Sequence, residues 1–313
     1  MQLLYALAEL RTPFLDALLG ALTNCGGELV FMAAAIIVFW CVSKSCGYYM
    51  LTVGFVGTIV NQFLKLVFRI PRPWVKDPDF QIVESARAEA TGYSFPSGHT
   101  QNVFASFGCL GRWTKRAWLR VVCALLIVVT AFSRMYLGVH TPLDVGVSFG
   151  IGLVLVFALY PLFRDIDSHP KRLYLLFAGM AVLSAAYLLF TELWPFPADV
   201  DAANLASGRK NAYTLLGAVL GMTFAYWLDR RYVHFDVRAV WWAQVLKTVL
   251  GLAITIGLRA ALKAPLLALC GGHNVANLIR YALMVIFAAG IWPMTFGWFG
   301  RLGRKKPASG ASD

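Results

Sequence analysis

The sequence predicts an all-α protein that is integral to a membrane, a polytopic helical bundle with about nine transmembrane helices plus an N-terminal interfacial helix. Of its 313 residues, 59% are hydrophobic and only 14% are charged, which is too apolar for a soluble domain of this length. Residues 1–24 lack the basic start and cleavage site of a secretory signal peptide. Glu9, Arg11 and Asp16 interrupt their apolar pattern, which favours an amphipathic helix at the membrane interface.

The spanning helices follow from the apolar runs and from the residues that begin or end them. Pro71 and Pro73 remove backbone donors and end the second run. Thr141, an N-cap residue followed by Pro142 at the first helical position, begins the fifth. The predicted runs are 28–42, 49–68, 97–110, 121–137, 142–163, 173–193, 214–228, 240–258 and 278–299.

Orientation follows from the distribution of lysine and arginine. With the N-terminus outside, the basic turns all face the cytoplasm, as positive charge does in membrane proteins. These turns are Lys44, 112–120, 164–172, 230–238 and 301–306. Three polar stretches, 65–73, 96–99 and 134–144, then lie together at the outer face.

The net charge of +12 does not indicate nucleic-acid binding, because the basic residues sit in short turns and form no stripe with interleaved aromatic residues. The six cysteines are scattered and lack the paired spacing of a zinc site. The sequence therefore predicts no metal, no cofactor and no nucleic-acid partner.

The polar stretches contain residues suited to phosphoryl transfer. Lys65 and Arg72 are two helical turns apart and, with Arg134, would surround a dianion. Ser97 and Gly98 stand where the third run begins, and the N-terminus of a helix is a natural anion site. Stabilising the charge of a transferring phosphoryl group is the main task of such a catalyst.

Two histidines complete the chemistry. Asp144 follows His140 by four residues around a helix start, so its carboxylate is expected to accept one ring N–H and leave the other nitrogen free for attack. His99 is then available to protonate the leaving alkoxide and to take a proton from water.

These residues resemble the signature of the type 2 phosphatidic acid phosphatase family. The matching segments are Lys65 with Arg72-Pro73, then Pro96-Ser97-Gly98-His99, then Ser133-Arg134 followed by His140 and Asp144. The resemblance covers roughly residues 33–163 and departs at no motif position. It implies that Lys65, Arg72, Ser97, Gly98 and Arg134 bind phosphate without metal. It further implies that His99 is the acid, His140 the nucleophile that forms a phosphohistidine, and Asp144 its orienting partner.

The expected organisation is an N-terminal amphipathic segment (1–27), a catalytic phosphatase core (28–165), a C-terminal transmembrane extension (166–300) and a basic cytoplasmic tail (301–313). The expected function is hydrolysis of a lipid phosphate or lipid diphosphate through a phosphohistidine, at the extracytoplasmic face of the cell membrane. The length resembles that of longer family members, including glucose 6-phosphatases and sphingosine phosphate phosphatases. The expected partners are the lipid substrate and membrane lipids; the oligomeric state stays open.

Three alternatives stay open from the sequence. Singly, Lys65 and Arg72 could be interfacial anchors, and His140 with Asp144 a structural polar pair. A phosphotransferase would use the same phosphohistidine to pass phosphate to another lipid. A non-catalytic lipid-binding or transport protein on this scaffold would need neither histidine.

Overall fold

The computed structural model describes residues 1–302, and every regular element within them is a helix, which confirms the all-α prediction. The helices are α1 Gln2–Glu9, α2 Pro13–Thr23, α3 Glu28–Cys41, α4 Lys44–Phe68, α5 Pro73–Lys76, α6 Gly98–Val103, α7 Cys109–Trp113, α8 Ala117–Tyr136, α9 Pro142–Arg164, α10 Pro170–Leu193, α11 Ala202–Leu228, α12 Trp241–Ala261, α13 Lys263–Leu269, α14 Val275–Ile286 and α15 Phe296–Phe299. Single π turns follow α6, α11 and α14, at Phe104–Gly108, Asp229–Val233 and Phe287–Ile291. Short 3-10 turns lie at Asn24–Gly26, Glu84–Ala86, Ile166–Ser168 and Trp292–Thr295.

Within residues 1–302, six segments are long and apolar enough to cross a membrane. They are Lys44–Lys76, Ala117–Tyr136, Pro142–Arg164, Pro170–Leu193, Trp241–Leu269 and Val275–Phe299. There is a seventh if Pro13–Gly26 and Glu28–Cys41, which meet at 49°, form one bent span. The chain is therefore a multi-pass membrane protein, and the predicted number of nine spans is not confirmed.

Three predicted runs are not among these six segments, each for its own physical reason. Helix α3 has 14 residues and is about 21 Å long at 1.5 Å per residue, too short to cross alone. The run predicted at 97–110 begins with polar residues, and the π turn Phe104–Gly108 interrupts it. Helix α11 has 27 residues, but its first turns carry Arg209 and Lys210 and other polar side chains.

Charged residues of the N-terminal segment form hydrogen bonds to the end of α8. Arg11 donates from Nε to the Tyr136 carbonyl over 3.1 Å and from Nη1 to the Gln81 carbonyl over 2.6 Å. Asp16 accepts a hydrogen bond of 2.9 Å from the Tyr136 hydroxyl. Two of the residues that interrupt the apolar pattern of this segment, Arg11 and Asp16, therefore attach it to the core.

The two ends of the bundle differ in chemistry. At one end, the Lys44 ammonium lies 2.8 Å from an Asp229 carboxylate oxygen, and the Ser45 hydroxyl donates to Asp167. At the other end, α4 stops at Arg69, whose φ of 49° is left-handed, before the long loop 70–97. The predicted basic turns at Lys44, 164–172 and 230–238 thus meet at the end away from the three polar stretches.

The C-terminal extension is built on α11. This helix packs on α10 and α14 through small residues, and Gly217 and Gly221 lie one turn apart on the face that α14 covers. A Cβ on Gly217 would lie 2.1 Å from the Leu278 carbonyl oxygen. The predicted tail 301–313 lies outside the described residues except for Arg301 and Leu302.

We expect Gly217→Val to lower the melting temperature of the detergent-solubilised protein by several degrees, because the added side chain meets backbone that cannot rotate away. Gly257→Val on α12 is the matched control, since nothing lies within 4 Å of its Cβ position. Thermal unfolding followed by tryptophan fluorescence measures both; equal melting temperatures would contradict this account of the α11–α14 contact.

Candidate active site

The structure brings the predicted site residues to one end of the bundle, where α4, α6, α8 and α9 meet the loop 70–97. All are buried or nearly so, and they come from the three polar stretches of the chain. They are Lys65, Arg72, Ser97, Gly98, His99, Arg134, His140 and Asp144.

Backbone carbonyls, rather than carboxylates, hold two of the cations. Arg72 donates from Nε to the Gly92 carbonyl over 3.0 Å and from Nη2 to the Thr91 carbonyl over 2.7 Å. Lys65 donates from Nζ to the Tyr93 carbonyl. Since carbonyls are neutral, these contacts fix the side chains without cancelling their charge.

His140 lies against Arg72 in a fully enclosed position. Its Nε2 is 2.9 Å from Arg72 Nη1, and a guanidinium nitrogen can only donate, so Nε2 is the acceptor. The proton of the neutral ring is therefore on Nδ1, which lies 3.5 Å from Asp144 Oδ2. Burial, then the charges of Arg72 and Arg134, hold the pKa of His140 well below its usual range. The imidazole is thus neutral, with the Nε2 lone pair directed at a cation.

Asp144 also takes part in the N-terminal cap of α9. Its Oδ2 accepts from the Thr141 backbone N–H over 2.7 Å, while the Thr141 hydroxyl accepts from the Asp144 N–H in a capping box. The Ser94 hydroxyl donates to the same Oδ2 over 2.6 Å. The helix start is as predicted, but the 3.5 Å separation from His140 Nδ1 is longer than the expected hydrogen bond.

Ser97 caps α6, and Gly98 opens the space in front of it. The Ser97 hydroxyl accepts from the Thr100 side-chain hydroxyl over 3.0 Å, and its backbone N–H donates to the Asp144 carbonyl over 3.1 Å. That N–H is therefore already paired, contrary to its expected use as a free donor. Within residues 1–302, no atom apart from those of its chain neighbours and its own helix backbone lies within 4 Å of a Cβ position on Gly98, so an anion can approach its backbone closely.

Arg134 is wholly buried near the N-terminal segment. Its Nη1 donates to the Thr23 hydroxyl over 2.9 Å, whereas Nε and Nη2 have no hydrogen-bond partner within residues 1–302. An unpaired buried guanidinium is costly, so these donors favour binding of an anion.

His99 pairs with a carboxylate of the long loop. Its Nε2 lies 2.8 Å from Glu89 Oε2, and the Glu89 side chain is 52% exposed. Burial lowers the pKa of His99 to about 4, with a further decrease from Arg134, while the hydrogen bond and charge of Glu89 oppose that decrease.

Several residues of the site have no motif to reveal them. Ser94 donates to Asp144, Glu89 faces His99, and Thr23 supports Arg134. Gly26 packs so closely that its Cβ would lie 2.5 Å from the His99 carbonyl oxygen. The only sequence signal for Ser94 and Glu89 is that they lie in the loop before Pro96. No sequence signal indicates that Thr23 and Gly26, in the N-terminal segment, lie at the site.

The arrangement fits a phosphate dianion beside a nucleophilic nitrogen. Lys65, Arg72 and Arg134 are buried cations, and Asp144 is the buried carboxylate that faces them. A bound dianion would compensate the excess positive charge, and the neutral Nε2 of His140 lies at its edge.

Comparisons with known proteins identify two matched segments in the chain. Residues 44–167 match the PAP2 superfamily, and residues 213–305 match the transmembrane extension of PAP2 superfamily phosphatases. No solved structure matches the chain.

Similar proteins include two from Bacillus subtilis, undecaprenyl-diphosphatase BcrC (34% identical over 108 residues, 34% of this chain and 52% of that protein) and phosphatidylglycerophosphatase B (25% over 178 residues, 52% and 80%). A probable sphingosine-1-phosphate phosphatase of Dictyostelium discoideum is 27% identical over 241 residues, 71% of this chain and 56% of that protein. The chain thus spans about half the length of the first and third of these relatives.

Every predicted site residue lies inside the first matched segment, and the second segment covers residues 213–300 of the predicted extension. The chain therefore belongs to the PAP2 superfamily, with its PAP2 domain at residues 44–167 and its transmembrane extension at residues 213–305.

Proposed function

We propose that this protein is a membrane phosphatase that hydrolyses a lipid phosphate or lipid diphosphate through a phosphohistidine on His140. The observation that carries the proposal is the 2.9 Å contact between Arg72 Nη1 and His140 Nε2 in a cluster of buried cations. The names of the relatives supply the candidate substrates: undecaprenyl diphosphate, phosphatidylglycerophosphate and sphingosine 1-phosphate.

In the first step, the entering phosphoryl group takes over the donors of Arg72 and Arg134, which releases the lone pair of His140 Nε2. The negative charge of the bound phosphoryl group favours the protonated form of His99. Nε2 attacks phosphorus, the bond to the leaving oxygen breaks, and the protonated His99 gives that oxygen a proton. His140 then carries a positive charge, which draws Nδ1–H towards Asp144 from its 3.5 Å separation. In the second step, water attacks phosphorus and gives its proton to His99, the P–N bond breaks, and inorganic phosphate leaves.

Apolar surface next to the site supports an amphiphilic substrate. Phe68, at the end of α4, is 54% exposed, and Leu143, next to Asp144, is 61% exposed. Such side chains favour contact with lipid, so the hydrocarbon tail of a substrate can stay in the bilayer while its phosphate reaches the cations.

The distribution of charge supports an extracytoplasmic site and a cytoplasmic C-terminus. The turns at Lys44, 164–172 and 230–238 lie at the end opposite the site, and short basic turns favour the cytoplasm. The two matched segments also support the division into a phosphatase core at 28–165 and an extension at 166–300, although those bounds remain a prediction.

We expect His140→Ala to reduce phosphate release from lipid phosphates at least ~1,000-fold, because no nucleophile remains to form the covalent intermediate. Purified protein in detergent, with chelator present, is assayed against a panel of lipid phosphates and diphosphates. His169→Ala is the control, since His169 is exposed in the turn before α10. Substantial residual turnover would move the nucleophile elsewhere, and phosphate transfer to an added lipid without release would favour the phosphotransferase.

We expect Glu89→Gln to shift the pH dependence of kcat/KM. Glu89 raises the pKa of His99, so removal of its charge lowers that pKa, and the limb on which His99 loses its proton moves to lower pH. Glu84→Gln is the matched control on the same loop, because Glu84 pairs with Arg87 at the surface. If this limb of the pH profile of kcat/KM stays at the same pH as in the wild type, Glu89 does not act on the catalytic acid.

We expect Asp79→Cys, in a background with the native cysteines replaced by serine, to react with a membrane-impermeant thiol reagent in intact cells. Asp79 is exposed in the loop that covers the site. Lys115→Cys, in a basic turn at the opposite end, should react only after the cells are permeabilised. The reverse pattern would place the site in the cytoplasm.

A further inference from the structure

A small polar cavity lies directly beside the cations of the site. It has a volume of about 60 Å³ and is enclosed by α4, the loop at Thr91–Tyr93 and the first turns of α11. Lys65 lines it, and so do the loop residues whose carbonyls hold Lys65 and Arg72. The cavity and the phosphate site therefore share these residues.

Neutral polar side chains without protein partners line this cavity. Gln62 comes from α4, and Asn204, Ser207 and Asn211 lie at intervals of three and four residues along one face of α11. Within residues 1–302, none of these four side chains makes a hydrogen bond to another residue. Amide and hydroxyl groups both donate and accept, so together they can satisfy a ligand of the same character.

Close packing fixes the position of α11. A Cβ on Gly208 would lie 2.7 Å from Leu66 Cδ1, so the helix packs closely against α4 at that point. The Asp201 backbone N–H donates to the Tyr93 hydroxyl over 3.3 Å, and a Cβ on Gly92 would lie 3.7 Å from Asn204 Oδ1. Residues 204–211 lie between the two matched family segments.

We propose that this cavity binds a neutral hydroxyl group carried next to the phosphate of the substrate, as in a glycerol phosphate headgroup. The inference rests on the proposed function and narrows it to lipid phosphates with a hydroxylated headgroup. The cavity would place the hydroxyl among the Gln62, Asn204 and Asn211 amides while Lys65, at its boundary, contacts the phosphate.

The charges around the cavity argue against two other ligand groups. A second phosphate would require further cations, but Arg209 donates to the Thr191 carbonyl and lies 3.6 Å from Glu192, and Lys210 does not line the cavity. An ammonium group would require a carboxylate, and the lining contains none. A hydroxyl group matches neutral donors and acceptors.

The first test compares phosphatidylglycerophosphate, which has a hydroxyl beside its terminal phosphate, with phosphatidic acid of the same acyl chains, which has none. We expect Asn204→Leu and Asn211→Leu each to lower kcat/KM for the hydroxylated lipid about five- to tenfold, mainly through KM, and to change the rate on phosphatidic acid less than about twofold. Thr214→Val, one turn further along α11 and outside the cavity, is the matched control and should change neither rate. Equal losses on both lipids, or no loss on either, would overturn the proposal.

The second test needs no turnover and so separates this proposal from the proposed function. Glycerol 3-phosphate and propyl phosphate are titrated into the wild-type protein and the Asn211→Leu variant, and binding is measured by calorimetry. We expect glycerol 3-phosphate to bind the wild type at least about fivefold more tightly than propyl phosphate, and the difference to vanish in the variant. Equal affinities in the wild type would overturn the cavity proposal, whereas absent hydrolysis with preserved discrimination would overturn only the phosphatase function.

Discussion

The burial of Lys65, Arg72 and Arg134 at one end of a helical bundle is the constraint on which the rest of this structure depends. Charges removed from water are costly, and proteins usually compensate them with opposite charges. Here Lys65 and Arg72 are held mainly by the carbonyls of Thr91, Gly92 and Tyr93, and Arg134 by a single hydroxyl. Carbonyl dipoles orient the cations and leave their charge available, so the site is prepared for an anion before one arrives.

The same cations determine the state of His140. Positive charge and burial disfavour the imidazolium, so the ring is neutral and keeps a lone pair on Nε2. Asp144 does not overcome this effect, because its Oδ2 already accepts from Ser94 and from the Thr141 backbone. In the proposed mechanism, a carboxylate shared in this way stabilises a positive ring only once attack on phosphorus creates it. The positive field that would attract the substrate would therefore also keep the proposed nucleophile neutral.

The sequence predicted the charged and nucleophilic side chains of the site because their residue types are rare among apolar runs and their spacing repeats a known signature. It also predicted the start of α9, since Thr141 and Pro142 act locally. It could not predict the partners of these residues, because backbone carbonyls carry no residue signal and Thr23 lies far away in the chain. The predicted count of nine spans is not confirmed, because counting apolar runs does not detect the π turn Phe104–Gly108 that interrupts residues 97–110.

Helix α4 runs between the two ends of the molecule, and the C-terminal extension contacts α4 at both ends. At the basic end, the Asp229 carboxylate binds Lys44, whose ammonium also lies 3.7 Å from the centre of the Phe235 ring. At the site end, α11 packs at Gly208 against Leu66 of α4, and Leu66 is the residue after Lys65. Since the carbonyl that orients Lys65 belongs to Tyr93, whose hydroxyl accepts from the Asp201 backbone N–H at the start of α11, any displacement of α11 would shift a cation and its acceptor together. In the proposed function, the extension would thus contribute to phosphate binding by positioning Lys65, without supplying any of the charged groups.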